Sequence, residues 1–289
     1  MNSRHSINPF PGIDHPLFKR SLEMRPKKRR FHLVAIGFLF TLFPFIIGKA
    51  FGDEEVPEPT EAEALPASLR PSEGHFVPVT RDEAVEIADR YLHHAWRPSA
   101  KNVMHGDDGN GVRVDTPDAG FSPGWWRPDE TNIGLPYKWG GFSSIEEFDL
   151  GLASRKYAGD AWTDAREKMP DGGPASDKAV GVDCSGFVSR CWKLPEQYNT
   201  RQLPELSDSL PDISSLNRGD LIDKPGVHCL LFKEFTNSAK TKAIMYQSGS
   251  PYPSREASSD RGRVRQVEID LQELYGLGFR PYRLKWMKD

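Results

Sequence analysis

Val182-Asp183-Cys184-Ser185-Gly186-Phe187-Val188-Ser189-Arg190-Cys191-Trp192 reads as the start of a helix with a thiol in its first turn. Phe187, Val188, Cys191 and Trp192 fall on one helical stripe, and Lys193-Leu194-Pro195 ends the run. Cys184 lies outside that stripe, where unpaired N–H groups and the positive end of the helix dipole favour a thiolate. Cys191, on the stripe, and Cys229, in an apolar run, have the character of packing residues. Three cysteines in 289 residues exclude a disulfide-stapled miniprotein, and an odd count leaves at least one thiol unpaired within the chain. A Cys191–Cys229 bridge is conceivable only in an oxidising compartment.

Downstream of this helix, Val227–Phe232, Lys242–Gln247 and residues 263–269 (RVRQVEI) have strand composition, and 279–286 (FRPYRLKW) reads as a closing strand. Upstream, Thr80-Arg81-Asp82-Glu83 is a capping box. Ala84, Val85, Ile87, Ala88, Tyr91, Leu92, Ala95 and Trp96 then recur at helical spacing before Pro98, which predicts a helix reaching Trp96. Residues 99–133, rich in Gly, Pro, Asp and Asn, predict a long irregular connection, and GLPYKWGGF at 134–142 a tight turn that exposes its backbone. Helix first and strands after point to an α+β fold, with N-terminal helices packed on an antiparallel sheet.

Charge is distributed unevenly. Residues 1–52 carry a net charge of +7, so the remainder carries −10 of the total of −3. An acidic body gains nothing from releasing the counterions of a phosphate backbone, so no nucleic-acid partner is expected. The basic run Lys27–Arg30 precedes a stretch from Leu33 to Ile47 that holds 15 residues without a charge. That is short of the roughly 20 apolar residues a membrane-spanning helix needs, and Pro44 weakens it. Residues 1–52 therefore read as a signal peptide cleaved near Gly52, with an uncleaved signal anchor as the competing reading. In the latter, residues 31–48 make the only membrane contact. The chain is expected to be exported, to the periplasm, the cell envelope or the medium. Residues 53–75 read as an acidic, proline-bearing solvated linker. The folded domain is expected over 76–289, whose 214 residues suffice to bury roughly 70% of the chain surface.

Four segments taken in order, GLPYKWGG (134–141), VDCSGFVSRCW (182–192), LNRGDLI (216–222) and VHCLLF (227–232), resemble the NlpC-type cysteine peptidases, papain-like enzymes acting on bacterial cell-wall peptides. The similarity spans about residues 134–250. It implies a papain-like domain, an amide hydrolase activity on peptidoglycan peptides, Cys184 as nucleophile and His228 as the acid–base partner. It also implies the Cys184 backbone N–H and the Tyr137 hydroxyl as oxyanion donors. A thiolate–imidazolium pair of this kind is the activated nucleophile that acyl transfer requires.

The chain departs from that family in two places. The third polar residue is most often His there, whereas MYQSGS stands here. An amide oxygen at Gln247 could accept the imidazole N–H and fix its tautomer, with Tyr246, one residue away on the opposite strand face, as the rival. The second departure is the length of residues 142–182, which is expected to rim the cleft. Two alternatives remain open: a degenerate cell-wall-binding module that has lost turnover, and a thiol amidase or acyltransferase acting on another substrate.

No cofactor or metal is expected. His93, His94, His105, Asp107 and Asp108 lack the spacing of a zinc site, and DDGNG lacks the distal Glu of a calcium loop, so they read as solvated helix and turn residues. Arg218-Gly219-Asp220 reads as a turn before a strand rather than an adhesion signal. Trp125-Trp126 is open to sugar stacking or to packing. The 30 residues ahead of the apolar run suggest that Met24 is the true start. N-terminal sequencing of the native chain is then expected to find nothing upstream of Met24, and any earlier residue overturns that start.

Overall fold

The computed structural model divides the chain into two compact units, Met1–Glu63 and Ala64–Asp289. The residues described are 76–121, 124–161, 169, 173–249 and 262–289, all in the second unit. The leader, the Met24 start, the apolar segment at 31–48 and the linker at 53–75 lie outside them. Among the described residues, no helix is long and apolar enough to cross a membrane.

The second unit is mixed α/β around a six-stranded sheet. Its strands are β1 (Ser207–Ser209), β2 (Leu221–Lys224), β3 (His228–Phe235), β4 (Lys242–Gly249), β5 (Arg263–Asp270) and β6 (Arg280–Leu284). They lie in the order β5-β4-β3-β2-β6-β1, and every pairing is antiparallel. Among the described residues, four α-helices accompany the sheet: α1 (Arg81–His93), α2 (Ile145–Ala153), α3 (Cys184–Cys191) and α4 (Leu271–Gly276).

Both faces of the sheet are covered, which is why Cys229-Leu230-Leu231-Phe232 is an unbroken apolar run. Cys229 and Leu231 join the larger core with α1 and α3, while Leu230 and Phe232 join a smaller core with Ile213, Met245, Leu271, Leu274 and Phe279. The α3 stripe is buried as its spacing requires: Phe187, Val188, Cys191 and Trp192 are fully enclosed. On α1 the capping box forms in both directions, and Ala84, Val85, Ile87, Ala88 and Tyr91 are buried.

Several expectations are corrected. The first helix ends at His93, because Trp96 donates its indole N–H to Gly134 O at 2.8 Å and Ala95–Trp96 pair as a strand with Asn132–Ile133. The connection at 99–133 is not irregular throughout. Ala100–Asn102 form a 3₁₀ turn, and His105–Asp107 pairs with Arg113–Asp115 as a hairpin. Asp107 and Asp108 accept loop N–H groups across its bend, and Gly109 and Gly111 supply positive φ of 87° and 83°. Helix α4, capped by the Asp270 side chain, was not anticipated, although Asp270 with Glu273 three residues on is a helix-start signature. Within 142–182, α2 buries Phe148, and Tyr157–Ala158 pairs in parallel with Ala179–Val180. Part of this segment is therefore core; residues 162–168 and 170–172 lie outside the described set.

Asp220 of the Arg-Gly-Asp tripeptide is fully buried between Arg81 and Arg283, whose guanidinium groups reach it at 3.1 and 2.7 Å. It also accepts from the Asn217 backbone N–H at 2.8 Å. Its role is to bind α1 and β6 to the turn before β2. The tryptophans pack: Trp126 is enclosed 5.5 Å from Trp96, and Trp125 donates to Gly262 O at 3.0 Å.

A close backbone approach joins the 136–141 turn to the start of α3. Val182 N–H donates to Pro136 O, Lys138 N–H to Val182 O and Asp183 N–H to Gly141 O, at 3.2, 3.2 and 3.0 Å. A Cβ on Gly186 would stand 1.9 Å from Gly141 O. That obstacle is backbone and cannot swing aside. Gly186→Ala is expected to destabilise the domain by about 3 kcal/mol or more in urea unfolding. A loss below about 1 kcal/mol would mean that the turn and α3 can separate cheaply.

Candidate active site

Cys184 is the first residue of α3, and the helix starts there because Asp183 caps it. The Asp183 carboxylate accepts from Gly186 N–H at 2.6 Å, Ser185 Oγ at 3.0 Å and Gln197 Nε2 at 2.7 Å. Burial, and then the charge of Cys184, push this carboxyl up to about 7 despite those donors. Cys184 is partly exposed, whereas Cys191 and Cys229 are buried; all three are free thiols, so no Cys191–Cys229 bridge is present.

The first two residues of β3 both reach the Cys184 sulfur. His228 hydrogen-bonds it through the imidazole, and Cys229 does so through its thiol and its backbone N–H. The Cys229 thiol, the His228 charge and hydrogen bond, and the Cys229 N–H together hold Cys184 well below the ordinary thiol range, against burial. For His228, burial opposes the charged ring, but the Cys184 charge and hydrogen bond and the Gln247 hydrogen bond outweigh it, and the pKa is raised. Each shift favours the thiolate–imidazolium pair.

Gln247, in β4, is fully buried, and its Oε1 lies 2.8 Å from His228 Nε2. An amide oxygen can only accept, so Nε2 carries the proton and Nδ1 is the ring nitrogen left for the sulfur. Tyr246 turns the other way and donates its hydroxyl to Asp89 of α1 at 2.5 Å. Of the two candidates for a third residue, the structure thus brings Gln247 to the imidazole.

Tyr137 is buried in the turn, with its N–H bonded to Gly262 O at 2.7 Å and its carbonyl accepting from Asp160 N–H at 2.9 Å. Its ring lies against Gly249 at the end of β4. A Cβ there would be 3.3 Å from two Tyr137 ring carbons and 3.9 Å from His228 Cε1, and Gly249 adopts φ +117°. Glycine at this position lets the phenol ring approach the imidazole.

Three neighbours had not been singled out. Cys229 is more than the packing residue its run suggested, because it contacts Cys184 directly. Asp223, paired with Cys229 across β2 and β3, is fully buried, and burial followed by the Cys184 charge pushes its pKa up to about 8. Arg265 pairs with Gln247 across β4 and β5, is 7% exposed, and its charge opposes that of His228. An Asp directly after the apolar pair Leu221–Ile222 and an Arg within an alternating strand were the available signals.

Among the described residues, no group of three or more His, Cys, Asp or Glu is arranged to hold a metal. His94 meets Asp149 at 2.8 Å, and His105 meets Asp118 at 2.8 Å while stacking on Phe121. Asp108 is not solvated as expected: it is buried and accepts from Ser176 Oγ at 2.6 Å. Compared with protein-family models, with curated proteins and with solved structures, the chain gives no match.

A thiol with a lowered pKa ionises as pH rises through that low value and stays ionised above it. Alkylation of Cys184 by iodoacetamide is therefore expected to be fast already at about pH 7 and to gain little above about pH 8. Gln247→Ala removes a bond that favours imidazolium and should move the His228 limb of the profile to lower pH. A parent thiol that reacts only above about pH 8 overturns the activated pair.

Proposed function

We propose that this chain is an exported thiol hydrolase with a papain-like domain of the NlpC type, cleaving amide bonds in cell-wall peptides. The observation that supports this reading best is the continuous contact from Cys184 through His228 to Gln247, starting at a helix N-terminus. The substrate class rests on the order of the four motifs. In this mechanism the Cys184 thiolate attacks the amide carbon, and His228 Nδ1–H protonates the leaving amine. Gln247 holds the ring through Nε2–H. Water, deprotonated by His228, then releases the acyl group from Cys184.

The oxyanion is assigned to the Cys184 backbone N–H and the Tyr137 hydroxyl; losing one such donor commonly costs on the order of 10²–10³ in rate. A binding module without turnover was suggested by the absence of a third His, but the 2.8 Å contact from Gln247 meets the same need. As a neutral partner, the amide stabilises imidazolium less than a carboxylate would.

The full chain incubated with peptidoglycan fragments is expected to release peptide products, with none from Cys184→Ala and about 10²-fold fewer per unit time from Tyr137→Phe. Binding without release by either the parent or Cys184→Ala overturns the hydrolase in favour of a binding module. Turnover confined to lipid or small-molecule amides overturns the cell-wall substrate alone.

A further inference from the structure

Amide hydrolysis needs neither a second thiol nor a second buried carboxyl at the nucleophile, yet both are present. Cys229 and Asp223 are fully enclosed and stand opposite one another in the β2–β3 register, a placement that sets Cβ atoms roughly 4.5–5.5 Å apart. Cys184 packs against the core cluster that contains Cys229, and the Cys229 thiol hydrogen-bonds it. Carboxyl, thiol and thiol therefore run in sequence from the core to the partly exposed nucleophile.

Neither Asp223 oxygen has a hydrogen-bond partner among the described residues. Leaving a buried polar group unpaired is costly, so its retention beside two thiols calls for a role. The other buried carboxyl nearby, Asp183, is occupied by Gly186, Ser185 and Gln197.

We propose that Cys184, Cys229 and Asp223 form a redox-active dithiol site that takes a hydroperoxide as substrate and closes a Cys184–Cys229 disulfide. The order of events follows from access. Cys184 is partly exposed and held as thiolate, whereas Cys229 is sealed from solvent and cannot meet the oxidant first. The Cys184 thiolate attacks the outer peroxide oxygen, the O–O bond breaks, the His228 imidazolium protonates the leaving oxygen, and Cys184 sulfenic acid and an alcohol or water are formed. The charge of Cys184 is thereby lost, and with it one of the two effects holding the Asp223 proton. Asp223 then acts as a shuttle, taking the Cys229 proton on one carboxyl oxygen as it gives up its own from the other. The Cys229 thiolate attacks the Cys184 sulfur, the S–S bond forms, the S–O bond breaks, and hydroxide leaves with the proton from Asp223 as water. Two thiols are oxidised and one peroxide is reduced.

Disulfide formation does not depend on the hydrolase reading; only its consequence, reversible silencing of the nucleophile, rests on it. Cys191, fully buried on α3 with its pKa pushed up by burial, stays outside the couple and serves as the internal control.

The test is peptide mapping of the reduced full chain after stoichiometric hydrogen peroxide, with denaturation and alkylation of the remaining thiols. Alkylation is expected to fall from three cysteines to Cys191 alone, with a Cys184–Cys229 cross-linked peptide that dithiothreitol reopens. In Cys229→Ala given excess peroxide, Cys184 should pass to sulfinic and sulfonic acid that dithiothreitol does not recover, while the parent under the same excess closes the disulfide first. In Asp223→Asn, sulfenic acid trapped by dimedone should accumulate as disulfide closure slows by about 10²-fold. Over-oxidation of Cys184 in the parent as fast as in Cys229→Ala overturns the couple. Closure at the parental rate in Asp223→Asn overturns the shuttle. Should Cys229→Ala fail to fold, the cross-linked peptide of the parent still decides, its absence overturning the proposal. Because the readout is covalent mass, an inactive hydrolase leaves the result unaffected.

Discussion

The carbonyl of Gly141 occupies the space where any side chain at Gly186 would have to stand. From that contact follow the position of α3, the seat of Asp183 against the turn, and the direction in which the first N–H groups of the helix point. Asp183 is fixed twice, by its own N–H on Gly141 O and by its carboxylate on Gly186 N–H. Cys184 is consequently held at the helix start by backbone on one side and by a cap on the other. A nucleophile so placed has little freedom to wander, and positional precision is what acyl transfer needs.

The opposite wall of the site is made by the sheet. β3 and β4 bring His228 and Gln247 within hydrogen-bonding distance from positions 19 residues apart. Ser248 ties the same strand to the lead-in of α3 through its hydroxyl on Val182 O at 2.8 Å. Turn, helix and strands are thus stitched by backbone-directed bonds near Val182, and the polar groups of the site are carried on rigid elements. The buried ion cluster of Asp220 with Arg81 and Arg283 plays a comparable part, tying α1 and β6 to the turn before β2. Its Gly-Asp turn was legible as a turn, but the two arginines that complete it come from opposite ends of the domain.

Much of the fold was legible because it is local. The Thr80–Glu83 box, the α3 stripe and the strand compositions each need only a few neighbouring residues to be recognised, and each is found where its pattern places it. The errors came where a local pattern was overruled at long range. Leu92 and Trp96 kept helical spacing, yet the chain leaves the helix because Trp96 finds Gly134 and Ile133 pairs with Ala95. The hairpin at 105–115 hid in a Gly- and Asp-rich stretch because its strands are three residues each. Cys229 was read by its apolar neighbours alone, since nothing in its own strand records which helix turn will lie above it.

The sequence by itself determined which residues are chemically capable: a thiol at a helix start, an imidazole at a strand start, an amide and a phenol nearby in pattern. The unbroken run Cys229–Phe232 was also present in it, though that the sheet is covered on both faces was seen only in the structure. Only the tertiary structure decided that Gln247 rather than Tyr246 meets the imidazole, and that Cys229 and Asp223 stand behind the nucleophile. Strand alternation separates the two sides of each strand but does not say what lies against either one. That is fixed by how helix and sheet dock, through contacts between residues far apart in the chain.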